Sequence, residues 1–177
     1  MPFARLALLS VALLVLGCSP SPSSSVDSSK GATQAPDPSA LVGAWQGNVQ
    51  FTSGPFAPIK DLRFLYVFNL GGTMTESSNY DGAPPVPPAY GVWRQVGPNR
   101  FEAKYIFYPT KAPAAFQDIA SGGGWMPTGH GVLSEIITLA ADGNSYDSTI
   151  KWENFDMAGK PATGGGDATA HATRITF

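Results

Sequence analysis

The chain has little of what most site chemistries are built from: one cysteine, two histidines and only 14% charged residues in 177. A single Cys excludes an internal disulfide framework and every zinc site built on paired thiolates. The two histidines, His130 and His171, have no companion at metal-ligand spacing, so no metal centre is expected. Eleven Lys and Arg spread thinly, with a net charge of −2, exclude the concentrated basic face that nucleic acid requires. No Ser sits in a Gly-x-Ser-x-Gly turn, and no catalytic triad assembles from the order of residues. Gly122-Gly123-Gly124 is not followed by Lys-Ser/Thr and opens no helix, so it reads as a hinge rather than a phosphate loop. No cofactor is expected. Long helices are missing too, since no window beyond the N-terminal segment carries an apolar stripe of helical period.

What is present divides sharply by position. Residues 1–17, MPFARLALLSVALLVLG, begin with a positive charge at Arg5 and continue as an apolar run from Leu6 to Leu16. That run suits the core of a signal peptide and is shorter than the roughly 20 residues needed to span a bilayer. It closes on Leu16-Gly17-Cys18, which resembles the lipobox of bacterial lipoproteins. The resemblance implies that Cys18, the only Cys in the chain, becomes the lipidated first residue of a mature protein held on a membrane by acyl chains. Ser19 after the Cys implies sorting to an outer membrane where the cell has one. Residues 18–40 follow as a tether: positions 19–40 hold eight Ser and four Pro and no aromatic. Such a segment buries too little apolar surface to offset the entropy of ordering it.

Residues 41–177 read as one all-β domain, and 19 of the 20 aromatics lie there. Side chains alternate with period two. Tyr146, Ser148, Ile150 and Trp152 share one face; so do Phe101, Ala103, Tyr105 and Phe107, and Trp45, Gly47, Val49 and Phe51. The spacing predicts eight strands, near 42–52, 62–70, 72–78, 90–97, 99–108, 129–139, 144–153 and 167–176. Gly71-Gly72, Gly97-Pro98-Asn99 and Asp142-Gly143-Asn144 suit tight hairpins, which need residues at positive φ. The other connections are long. Parity then places all tight turns at one end and all long loops at the other, as in an eight-stranded antiparallel up-and-down barrel.

Gly43-Ala44-Trp45 in the first strand and Arg174 in the last resemble the Gly-x-Trp and terminal Arg of the lipocalin (calycin) families, and Phe68-Asn69-Leu70-Gly71-Gly72-Thr73 and Gly91-Val92-Trp93-Arg94 are similar to bacterial lipocalin-like domains. The resemblance implies a calycin-like barrel in which Arg174 stacks across Trp45 at the sealed end, a structural closure rather than a ligand contact.

The expected function is non-enzymatic binding of a small apolar or amphipathic ligand through the long-loop mouth. Its candidate contacts are Tyr66, Glu76, Tyr105, Trp125, Glu135 and Trp152. Glu135 shares the alternation of Gly131, Leu133, Ile137 and Leu139, and Glu76 that of Met74. If those faces point inward, burial raises the carboxyl pKa; if the opposite faces are inside, both are solvated. Trp125, with Phe116 and Met126, gives the Pro109–Thr128 connection apolar side chains for a lid or for local packing. Pro84-Pro85-Val86-Pro87-Pro88 reads as a stiff rim. Two other classes stay open: a small-barrel isomerase or cyclase of the allene-oxide-cyclase kind, resting on Glu76 and Glu135, and a fully packed envelope interaction module.

Overall fold

Along Leu62–Phe68 every second side chain is buried and every other one exposed. An extended strand with one wet face produces this pattern. The computed structural model describes residues 37–79 and 88–177, and the same alternation recurs along most of its strands. The signal segment, Cys18 and most of the proline run lie outside the described residues. The strands are β1 (Gly43–Phe51), β2 (Leu62–Phe68), β3 (Thr73–Ser78), β4 (Ala89–Gly97), β5 (Arg100–Phe107), β6 (Thr110–Lys111), β7 (Met126–Pro127), β8 (His130–Leu139), β9 (Ser145–Phe155) and β10 (Gly166–Arg174).

Eight of these close into an antiparallel barrel in the order β1-β2-β3-β4-β5-β8-β9-β10, with β10 pairing back onto β1. This is the all-β barrel that the period-two pattern predicts, with boundaries displaced by two residues at most. The tight β2–β3, β4–β5 and β8–β9 turns share one end, where Gly71, Gly72, Asn99 and Gly143 adopt positive φ. The β1–β2, β3–β4, β5–β8 and β9–β10 connections share the other end.

A single 3-10 turn, Pro38–Leu41, lies across the tight-turn end and buries Leu41 completely. The Trp45 indole N–H donates to the Leu41 carbonyl at 2.9 Å. Arg174 stands 4.3 Å over the Trp45 ring. Its guanidinium donates to the carbonyls of Val42 (2.6 Å), Ala40 (2.7 Å) and Gly143 (3.0 Å). One side chain thus ties together the entering chain, the first strand and the β8–β9 turn.

The interior is filled by large rings set against small partners. Phe64, Tyr66 and Phe68 project from β2, while β10 offers only Ala168, Ala170 and Ala172. Register places Gly47 opposite Phe64 and Gly131 opposite Phe107. In both pairs the ring lies so close that a Cβ on the glycine would overlap it. Aromatic volume and missing side chains are therefore two halves of one packing arrangement.

The β5–β8 connection differs from a plain loop. β6 and β7 pair as a short ribbon, and between them Phe116–Ala120 forms a one-turn helix, α1. Asp118 accepts the Ala115 backbone N–H at 2.9 Å and so fixes its first turn. A five-residue helix is too short to leave a periodic signature.

Candidate functional site

The barrel axis carries two polar features inside an aromatic core. The first is a cluster at mid-height. β2 brings Tyr66, β5 brings Tyr105 and β8 brings Glu135 to the interior because each occupies the inward alternation of its strand. The two tyrosine hydroxyls lie 2.5 Å apart. The Tyr105 hydroxyl also donates to Glu135 Oε2 at 3.4 Å. Glu135 is 1% exposed. Burial pushes its carboxyl up to about 7, and the hydroxyls of Ser148, Tyr66 and Tyr105 act against that shift by favouring the ionised form.

The second feature is a pocket of about 290 Å³ at the long-loop end. Phe51 ends β1, Phe107 ends β5, and Trp152 lies toward the end of β9, so all three rings reach the mouth on inward positions. Phe56 folds in from the β1–β2 connection. It stacks on Trp152 with centroids 5.3 Å apart and planes at 27°, and it meets Phe51 at 5.4 Å. His130 stacks on Phe155 at 4.9 Å with planes at 10°, adding a second wall. Glu76, 3% exposed, reaches the same pocket from the inward face of β3. Tyr66 is its register partner on β2, so the pocket and the mid-barrel cluster adjoin.

Of the six residues expected to contact a ligand, five face the interior, in two groups. Tyr66, Tyr105 and Glu135 form the mid-barrel cluster; Glu76 and Trp152 line the mouth pocket. The question of which faces point inward resolves with both carboxylates inside. Trp125 joins neither group. It is 37% exposed, Phe116 and Met126 are 79% and 57% exposed, and none of the three lines the pocket. Pro109 and Thr128 at the ends of the β5–β8 connection line the pocket, but Phe116, Trp125 and Met126 do not supply its apolar cover. Phe56 supplies it.

Phe56 carried no sequence signal, because a lone Phe between Gly54-Pro55 and Ala57-Pro58 belongs to no periodic run. Phe51, Phe107 and Leu133 were legible as inward residues but not as mouth residues, because depth along a strand depends on barrel stagger. Outside the barrel, His171 pairs with Asp147 at 2.8 Å on the exposed face. Among the described residues, no three His, Cys, Asp or Glu side chains gather as a metal site. No protein-family model, curated protein or solved structure matches the chain.

Proposed function

We propose that this protein is an extracytoplasmic, membrane-tethered barrel that binds one small ligand, non-enzymatically, in the pocket at its long-loop mouth. The observation that carries the reading is the pocket itself: about 290 Å³, walled by Phe51, Phe56, Phe107 and Trp152, with one carboxylate at Glu76. Ligand sites are concave, mostly apolar and equipped with few polar groups, and this volume lies at the small end of their range. The Trp152 indole N–H is enclosed there with no acceptor among the described residues, and a ligand oxygen would satisfy it. Below the pocket the core is packed with rings, so a long acyl chain has no path down the axis. The lipobox-like Leu16-Gly17-Cys18 supports placement in the cell envelope, and the calycin-like pairing of Trp45 with Arg174 supports the barrel.

Native mass spectrometry of the protein taken from membranes of cells that make it tests the reading. The expected spectrum contains a population carrying a small-molecule mass increment, released by organic extraction and absent from Trp152→Ala. An unliganded spectrum under every gentle ionisation condition would overturn it.

One observation favours a second reading, a small-barrel isomerase or cyclase. Glu135 combines a carboxyl pKa of about 7 with two tyrosine hydroxyls, a combination fit for general acid–base work. Glu135 does not line the pocket, however, so the ligand would have to reach it past Glu76 and Tyr66.

A further inference from the structure

We propose that the β6–β7 ribbon is a bilayer-docking finger, whose exposed apolar side chains enter the interfacial layer of a membrane and set the pocket mouth against the lipid surface. This goes beyond ligand binding and rests on the membrane tether of the reading above.

Between β6 and β7 the chain exposes Phe116, Ile119, Trp125 and Met126. Phe116 and Ile119 lie three positions apart on α1 and so share one of its faces. The acid of that turn, Asp118, is engaged with the Ala115 N–H. None of the four apolar side chains lines the pocket. Scattered single apolar residues are normal on a soluble surface, whereas several on one short excursion mark a contact. Tryptophan suits headgroup depth, where its ring is buried and its indole N–H stays wet.

The barrel wall beside the roots of the ribbon has the same character. The chain leaves β5 at Phe107 and rejoins the barrel at His130. Tyr108 is exposed there, and so are Tyr90 and Ile106, which are register partners on β4 and β5. The opposite wall differs: among the described residues, β1, β9 and β10 hold no large exposed apolar side chain. Tyrosine and tryptophan gathered on one side of one end is the distribution that an interfacial contact needs.

Size favours a bilayer over a second copy of the chain. A stable protein interface buries roughly 1,200–2,000 Å², more than a five-residue helix and two two-residue strands present. A tethered chain needs less, because its anchor supplies a high effective concentration and each apolar side chain then adds its own transfer free energy. Reach permits the contact. The chain from Cys18 to Asp37 extends to at most about 65 Å, whereas the 11 residues of β9 cover about 36 Å. Charge contributes little, since the net charge is −2 and the ribbon holds one base, Lys111, against one acid, Asp118. Four side chains orient a tethered chain and do not hold one by themselves. Pro109 and Thr128, at the roots of the ribbon, line the pocket, so docking brings the pocket rim to the headgroups.

Tryptophan quenching tests the proposal, on protein taken from membranes of cells that make it and reconstituted into phosphatidylcholine vesicles. The vesicles are made with and without bromine high on the acyl chains, and the Trp125 signal is the difference between the parent and Trp125→Phe. Brominated lipid is expected to remove at least about half of that signal, at low and at high salt alike. The double variant Phe116→Gln, Ile119→Gln should cut the quenching at least about twofold. Its urea midpoint should match the parent's, which shows that the barrel is intact. Quenching unaltered in the double variant would overturn the role of the finger. On chains that float with the vesicles, a Trp125 quenched by aqueous iodide but not by brominated lipid would overturn docking and leave the tether standing. A Trp125 shielded from both quenchers, with copies cross-linking on the vesicle, would overturn docking in favour of self-association. Chains that do not float would overturn docking and tether together.

Discussion

Glu135 illustrates how one buried carboxyl couples the core to pH. Its side chain is enclosed on β8, and burial raises its pKa from the ordinary 4.5 to about 7. The folded chain therefore keeps a proton that the unfolded chain releases, and folding takes up a proton between those two values. The stability this contributes is fully present below about pH 4.5 and is lost as pH rises through about 7. The full span amounts to about 3 kcal/mol. Glu135→Gln keeps the shape and removes the titration. Urea unfolding at a series of pH values from 4.5 to 8 is expected to show the parent losing stability relative to the variant, with the gap flattening above 7. Parallel curves for the two proteins would mean that Glu135 is charged and solvated in the folded chain. The Tyr105 hydroxyl donates to Glu135 Oε2, so an apolar residue of similar volume at this position would also leave that buried hydroxyl without its partner, which is why Gln is the substitution to use.

At the scale of elements, the strands and the loops between them obey different rules of legibility. Strands were readable because burial on one face forces period two, and Phe101–Phe107 and Tyr146–Trp152 show it without interruption. The tight turns were readable because positive φ has few hosts, and Gly71, Gly72, Asn99 and Gly143 supply them. Two strands were ambiguous. β3 runs Thr-Met-Thr-Glu-Ser-Ser, where neither alternation is clearly apolar, and β8 carries Glu135 within its more apolar face. Register with Tyr66 and Ala103 settles both, and register depends on neighbouring strands rather than on local composition. Loop side chains have no such rule. Phe116, Trp125 and Met126 look as fit to cover the mouth as Phe56 does, yet only Phe56 reaches it. The segment between β6 and β7, with α1, should then be dispensable. Replacing residues 112–125 with an Asn-Gly turn between β6 and β7 is expected to change stability by less than about 1 kcal/mol. Trp152 packing against Phe56 should persist, read by its fluorescence against a Trp125→Phe reference. A larger loss of stability would show that this connection braces the barrel mouth.

Across the whole barrel, closure gives each of the eight strands a neighbour on both sides and leaves two unlike poles. β10 pairs with β1 from Trp45↔Arg174 to Phe51↔Ala168, so the first and last barrel strands present no open edge to another chain. One pole is sealed by the 3-10 turn, Trp45 and Arg174; the other holds the pocket. The described chain begins at Asp37 on the sealed pole, at the end opposite the mouth. Under the proposed lipid anchoring, the attachment site Cys18 precedes Asp37 in the sequence and is no part of the pocket lining. Anchoring and binding should then be separable. Cys18→Ser is expected to abolish incorporation of a labelled fatty acid and to move the protein out of the membrane fraction washed at high salt. Acyl chains bind membranes in proportion to buried CH₂, and the net charge of −2 offers no electrostatic substitute. Pocket occupancy by native mass spectrometry should be unchanged in the same variant. Retention of Cys18→Ser in the membrane fraction would show that something other than acylation holds the chain there. Loss of the bound mass on release would instead show that the ligand is drawn from the membrane itself.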